Sequence, residues 1–116
     1  MKIAVIGSRS ITYLSLGMYM PDDVTEIVSG GAKGIDTIAK EYALRRGLKY
    51  TEFLPDYDTY GRFAPLRRND LIIDYADEII AFWDGKSRGT KYVIDHAKKA
   101  GKRVCVVRFE HPKKFI

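Results

Sequence analysis

The stretch Thr25-Glu26-Ile27-Val28-Ser29-Gly30-Gly31-Ala32-Lys33-Gly34-Ile35-Asp36-Thr37-Ile38-Ala39 decides the fold. Its first five residues read as a short strand. Three glycines follow within five residues. From Ile35 onward the apolar side chains change period: Ile35, Ile38, Ala39, Tyr42 and Ala43 lie on one face of a helix. Gly47, placed after Arg45 and Arg46, is the expected helix stop. A strand that passes through so short a loop into a helix is one half of a βαβ unit.

The same unit recurs on either side. β-like runs are predicted at Lys2–Gly7, Thr25–Ser29, Lys49–Leu54, Glu78–Trp83 and Arg103–Arg108. Each gap holds one helix and two short loops. The runs IAVIG, EIIAFW and VCVV are continuously apolar, the pattern of parallel strands covered on both faces. Thr90, Val93, Ile94 and Ala97 mark one further helix, closed by Gly101. Another runs from about Ala64 to Tyr75, with Ile72, Ile73 and Ala76 inward and Asn69 on the same face. A first helix is expected within Ser10–Met20, interrupted by Gly17. The class is therefore α/β: a single doubly wound, mainly parallel five-stranded sheet with helices on both faces. Strand orders 3-2-1-4-5 and 2-1-3-4-5 both fit. Both put a ligand crevice at the carboxyl ends of the strands.

Composition narrows the class. The 116 residues are 46% hydrophobic and 30% charged, which suits one globular domain and excludes disorder. No apolar run reaches the roughly 18–20 residues of a membrane span, so no membrane partner is expected. The opening MKIAVIG reads as a strand rather than a signal peptide. Cys105 is the single cysteine. It cannot form an internal disulfide, and its apolar run predicts an inert core residue. One Cys and two His are too few for a structural zinc site, and no cofactor is expected. These features together suggest a cytoplasmic protein. A net charge of +5 suits an anionic partner: a nucleotide, a phosphorylated small molecule or nucleic acid. His96 and His111 have no evident partners, and the tail His111–Ile116 is expected to be loosely held.

The carboxyl ends of the strands collect the polar candidates. After the first come Gly7, Ser8 and Arg9. After the second come Ser29, Gly30, Gly31, Ala32 and Gly34, with Asp36 in the first helical turn. The third leads through Tyr57, Tyr60 and Phe63, which either stack on a ligand or pin the loop, to Arg67, Arg68 and Asn69. The fourth leads through Trp83, Asp84, Gly85, Ser87, Gly89 and Thr90 into a helix. Backbone N–H groups at Gly30, Gly31 and Gly34, with the positive end of the helix behind them, suit a phosphate. Arg9 and Arg68 add counter-charge, Asn69 orientation, and Ser87 and Thr90 hydroxyls. Thr90 also suits a helix cap, and Trp83 suits either the core or stacking on a base. The loops are neither a Walker A loop nor a GxGxxG fingerprint.

With these residues in view, the chain resembles the SLOG superfamily of Rossmann-like domains, which includes the DNA-processing protein DprA (Smf) and the LOG (Lonely Guy) nucleotide phosphoribohydrolases. Val28 to Asp36, followed by Ala39, resembles the DprA phosphate loop. Arg68-Asn69 with Leu71-Ile72-Ile73 resembles the Arg-Asn helix of the same group. The opening Gly-Ser-Arg, the aromatic loop and the segment from Trp83-Asp84-Gly85 to Gly89-Thr90 are similar to those of small single-domain members of unknown activity. The resemblance implies the order 3-2-1-4-5 and a nucleotide-derived ligand held across the first, second and fourth loops. It is compatible with a homodimer. Two alternatives come with it: DprA-like binding of single-stranded nucleic acid, and LOG-like cleavage of a nucleotide N-glycosidic bond. The LOG signature ends in a Glu after Gly-Thr; here Thr90 is followed by Lys91, Tyr92 and Val93, with no acid until Asp95. Asp36 and Asp84 are the carboxylates at these loops. DprA proteins usually carry flanking domains.

Overall fold

In the computed structural model, residues 1–11, 13–31 and 34–109 are described. Five strands form one all-parallel sheet: β1 (Lys2–Gly7), β2 (Glu26–Ser29), β3 (Lys49–Glu52), β4 (Glu78–Trp83) and β5 (Arg103–Arg108). Their order is β3-β2-β1-β4-β5. The register pairs Ala4 with both Val28 and Ile79, so the central strand is bonded on both edges. The order is the one implied by the resemblance.

Among the described residues, four α-helices connect or flank the strands: α1 (Ile35–Arg46), α2 (Tyr57–Tyr60), α3 (Ala64–Tyr75) and α4 (Arg88–Lys99). Alternation along the strands divides the core in two. Ile3, Val5, Ile27, Ile80 and Phe82 pack with Ile35, Ala39, Tyr42 and Ala43 of α1. Ala4, Val28 and Ile79 pack with Ile72 and Ile73 of α3 and Val93 and Ala97 of α4. The apolar periods read from the sequence are therefore the faces that are buried. Gly47 ends α1 in a left-handed conformation, φ 66°. At the amino edge of the sheet, the buried Glu26 carboxylate accepts hydrogen bonds from the Thr51 and Tyr75 hydroxyls. Burial pushes its pKa up; the two hydroxyls and the charges of Lys49 and Lys2 outweigh that and hold it below the ordinary value.

Two expectations need correction. The helix expected within Ser10–Met20 is absent from the described residues there; a single 3₁₀ turn, Leu16–Met18, takes its place. Its Ser15 cap makes no side-chain hydrogen bond, Gly17 sits in the turn, and Pro21 follows. Ile11 and Leu16 still reach the core, so the segment buries its apolar side chains without helical backbone. Cys105 is exposed rather than in the core. It lies on edge strand β5, which α4 covers on one side, whereas α1 packs on β1, β2 and β3. The apolar run at β5 was a poor guide because an edge strand is only partly covered, and Val106 is 39% exposed.

Candidate functional site

The carboxyl ends of β1, β2 and β4 open onto a cavity of about 540 Å³, within the range of small-molecule sites. Gly7, Arg9, Gly30, Asp36, Arg68, Asn69, Asp84, Ser87, Gly89 and Thr90 line it. Four separate stretches of chain thus meet around one space, as the topology of an open parallel sheet requires.

Arg68 crosses from α3 to the loop after β2. Its Nη1 donates to the Gly30 carbonyl at 2.6 Å, and its Nε donates to Asn69 Oδ1 at 2.9 Å. A Cβ on Gly30 would sit 2.6 Å from Nη1, so the bare backbone is what admits the guanidinium. Burial pulls the Arg68 pKa down, and the Asp36 carboxylate opposes this. An arginine remains a cation under such a shift. Asn69, 8% exposed, is thereby accounted for: it orients the arginine.

The loop after β2 is set against the loop after β1. Gly34 has φ 83° and ψ −112°, and a Cβ there would lie 2.8 Å from the Ile11 carbonyl oxygen. Only glycine lets the two backbones approach so closely. Gly34 precedes α1 and offers no side-chain cap, so the first turn of this 12-residue helix keeps its N–H groups free of one. Ser29 is buried, and its Oγ accepts from Gly31 N at 3.5 Å. A Cβ on Gly31 would meet Leu54 and Glu52, so this glycine turns toward β3, and it does not line the cavity. Ala32 lies outside the described residues, as does the tail His111–Ile116.

The fourth loop is bound up internally. Asp84 Oδ1 accepts from Lys86 N and Ser87 N, each at 2.8 Å, and Oδ2 accepts from Ser10 Oγ at 3.0 Å. Asp84 N donates to the buried Ser8 Oγ at 3.1 Å. The backbone N–H donors, helped by the serine hydroxyls, depress the Asp84 pKa to about 2. Such a carboxylate holds no proton at neutral pH. Ser87 caps α4 by accepting from Thr90 N, which makes Ser87 rather than Thr90 the cap. Thr90 is buried and shares a hydrogen bond with the Ser87 hydroxyl. Trp83 and Gly85 do not line the cavity: the Trp83 indole donates to the Ser87 carbonyl at 3.0 Å, and Gly85 packs under Arg108.

Sequence reasoning missed Ser10 and the apolar wall of Ile6, Pro65, Leu66, Ile72 and Val93. Ser10 follows directly on Gly7-Ser8-Arg9, which was the available signal. Ile72 and Val93 fall on the inward faces of their helices and read as core, which they also are.

The comparisons with known proteins agree with this geometry. Residues 17–60 match the family model described as YAcAr, the YspA, cpYpsA-related SLOG family. That span covers the turn after β1, β2, the glycine loop, α1, β3 and α2. The Gene 61 protein of Mycobacterium phage D29 is 36% identical over 89 residues, 72% of this chain and 70% of the phage protein. No helix among the described residues is long and apolar enough to cross a membrane. Sheet order, glycine loop and sequence likeness converge: the chain belongs to the SLOG superfamily.

Proposed function

We propose that this chain binds a nucleotide or a phosphorylated nucleotide derivative in the cavity at the carboxyl edge of its sheet. One observation carries the reading: Arg68, Arg9, the loop at Gly30 and the first turn of α1 border the same space. A helix N-terminus without a side-chain cap, flanked by guanidinium groups, is a favourable environment for a phosphate. The apolar wall opposite, from Pro65 to Val93, suits the flat face of a base. Membership of the SLOG family supports a nucleotide-related domain of this kind.

The geometry at Asp84 does not suit that residue to act as the acid in N-glycosidic cleavage. That cleavage needs a proton donor or base at the leaving group. With its pKa near 2, Asp84 does not serve as the acid, and three donors occupy its oxygens.

The test is a thermal-shift screen of nucleoside phosphates and phosphorylated sugars at millimolar concentration. A ligand that binds the native state raises Tm. The expected result is a rise with at least one nucleotide, followed by calorimetric titration in which Arg68→Gln weakens binding tenfold or more, about 1.4 kcal/mol. No rise across the panel would refute the reading.

A further inference from the structure

The outer face of α3 and the short helix α2 before it leave large apolar side chains open to solvent: Tyr57, Tyr60, Phe63 and Leu71 are 60%, 41%, 58% and 41% exposed. Core formation does not account for them, and none of them lines the cavity. They belong to one surface. Phe63, Arg67, Leu71 and Asp74 follow at helical spacing on the side of α3 turned away from the buried Ile72 and Ile73. Helix α2 packs against α3, and the Arg67 guanidinium lies 5.9 Å from the centre of the Tyr60 ring. The Arg62 guanidinium lies 5.0 Å from the centre of the Phe63 ring. At these exposures, three rings of about 200 Å² each and one leucine leave roughly 400 Å² of apolar surface open, a size at which a surface patch is often functional. Tyrosine, phenylalanine and arginine together are the composition enriched at protein–protein contacts.

The charges on this face point to its occupant. Arg62 and Arg67 sit at its amino-terminal end, Asp70 and Asp74 at its carboxyl-terminal end. Arg67 approaches Asp70 at 3.9 Å, yet its side chain stays 52% exposed. A face that is basic at one end and acidic at the other is complementary to itself turned end for end, which is the relation a two-fold axis generates. We propose that the outer face of α2 and α3 is the interface of a symmetric homodimer, with the two α3 helices antiparallel and the basic end of each against the acidic end of the other. Antiparallel packing also sets opposite ends of the helix dipoles side by side. Parallel packing would set like charges together. An apolar patch of roughly 400 Å² is about half of the roughly 800 Å² that each partner buries in a standard interface, close to the apolar share such interfaces carry, and the charged side chains around it supply the polar remainder. This surface lies outside the cavity lining, so the proposal goes beyond the nucleotide reading and does not depend on it.

The experiment is equilibrium sedimentation at tens of micromolar. The unaltered protein should have twice the 13.2 kDa mass of the chain. Two charge variants test the orientation. Arg62→Glu/Arg67→Glu makes both ends of the face acidic, and Asp70→Lys/Asp74→Lys makes both ends basic. Each variant alone should dimerise tenfold or more weakly, because like charges then meet across the axis. An equimolar mixture of the two should recover the dimer as a mixed pair. Leu71→Glu, at an exposed position, should shift the protein to monomer with unchanged circular dichroism; Leu44→Glu, 69% exposed on α1, should leave the dimer intact. A monomer for the unaltered protein at these concentrations would overturn the proposal. So would a dimer that survives Leu71→Glu, or one that Leu44→Glu breaks as readily. Folded charge variants that stay monomeric when mixed would overturn the antiparallel arrangement, and with it the proposal; if either variant fails to fold, the two leucine variants decide.

Discussion

Replacing Gly34 by Ala tests whether the two loops that border the cavity after β1 and β2 are held together by backbone proximity. At φ 83° and ψ −112°, Gly34 lies outside the conformations open to L-residues. An alanine forced to stay there incurs strain of about 1–3 kcal/mol. Its Cβ would also lie 2.8 Å from the Ile11 carbonyl oxygen and 3.4 Å from that of Arg9, both backbone atoms that no rotamer change moves aside. The loop after β1 must therefore retreat, and overpacking of this kind adds roughly 1 kcal/mol or more. The expected loss is about 2–4 kcal/mol in urea denaturation, equivalent to a fall in Tm of roughly 8–16 °C at about 4 °C per kcal/mol. Gly89→Ala is the control. It lies in the first turn of α4, with nothing within 4 Å of its added Cβ, and should gain a few tenths to about 1 kcal/mol. Gly34→Ala should also weaken nucleotide binding, because Arg9 and Gly30 sit on the two loops it pushes apart. A Gly34→Ala protein within about 0.5 kcal/mol of the unaltered chain would refute this account of the loop pair.

Asp84 makes the acid limb of stability diagnostic. Its folded pKa, about 2, lies below the ordinary 3.8, so its contribution is present above pH 3.8 and is lost as pH falls toward 2. The stability difference between the unaltered chain and Asp84→Asn should therefore shrink between pH 5 and pH 2; a constant difference would contradict the hydrogen bonds assigned to it. Cys105 should react with one equivalent of a maleimide in the native protein at the rate of an exposed thiol, without denaturant. Protection until unfolding would show that β5 is covered.

The fold was legible because period and position agreed. Ile35, Ala39, Tyr42 and Ala43 are spaced for a helix face, and they are buried as one. Ala4, Val28 and Ile79 belong to continuous apolar runs, and they sit under two helices. The failures share a cause. Gly17 and Ser15 give a weak local signal, so the segment after β1 takes whatever backbone lets Ile11 and Leu16 reach the core. Cys105 was misjudged because an apolar run does not report whether its strand is central or at an edge. For the site, the sequence indicated which loops meet but not which atoms turn inward. Gly31 and Gly30 are adjacent; one faces Leu54 and Glu52, the other faces Arg68.

That distinction bears on where an anion sits. In the sequence, the Gly30–Gly34 and Gly85–Thr90 segments look equivalent: glycines, then a helix start. In the fold they differ in what remains to be satisfied. At α4, Ser87 takes the Thr90 N–H and Asp84 takes those of Lys86 and Ser87, so the chain supplies its own acceptors and its own negative charge. An incoming phosphate there meets a carboxylate already in place. At α1, the cap is Gly34, which has no side chain to offer; Asp36 places a carboxylate in the first turn, and the Arg68 guanidinium stands at the loop with the opposite charge. A helix N-terminus with no capping side chain and with Arg68 and Arg9 beside it is the better place for an external anion, whereas the α4 loop already gives its N–H groups to Asp84 and Ser87. On the proposed reading the phosphate therefore sits at the loop after β2, with the fourth loop, braced through Ser10 and Ser8, as the wall opposite.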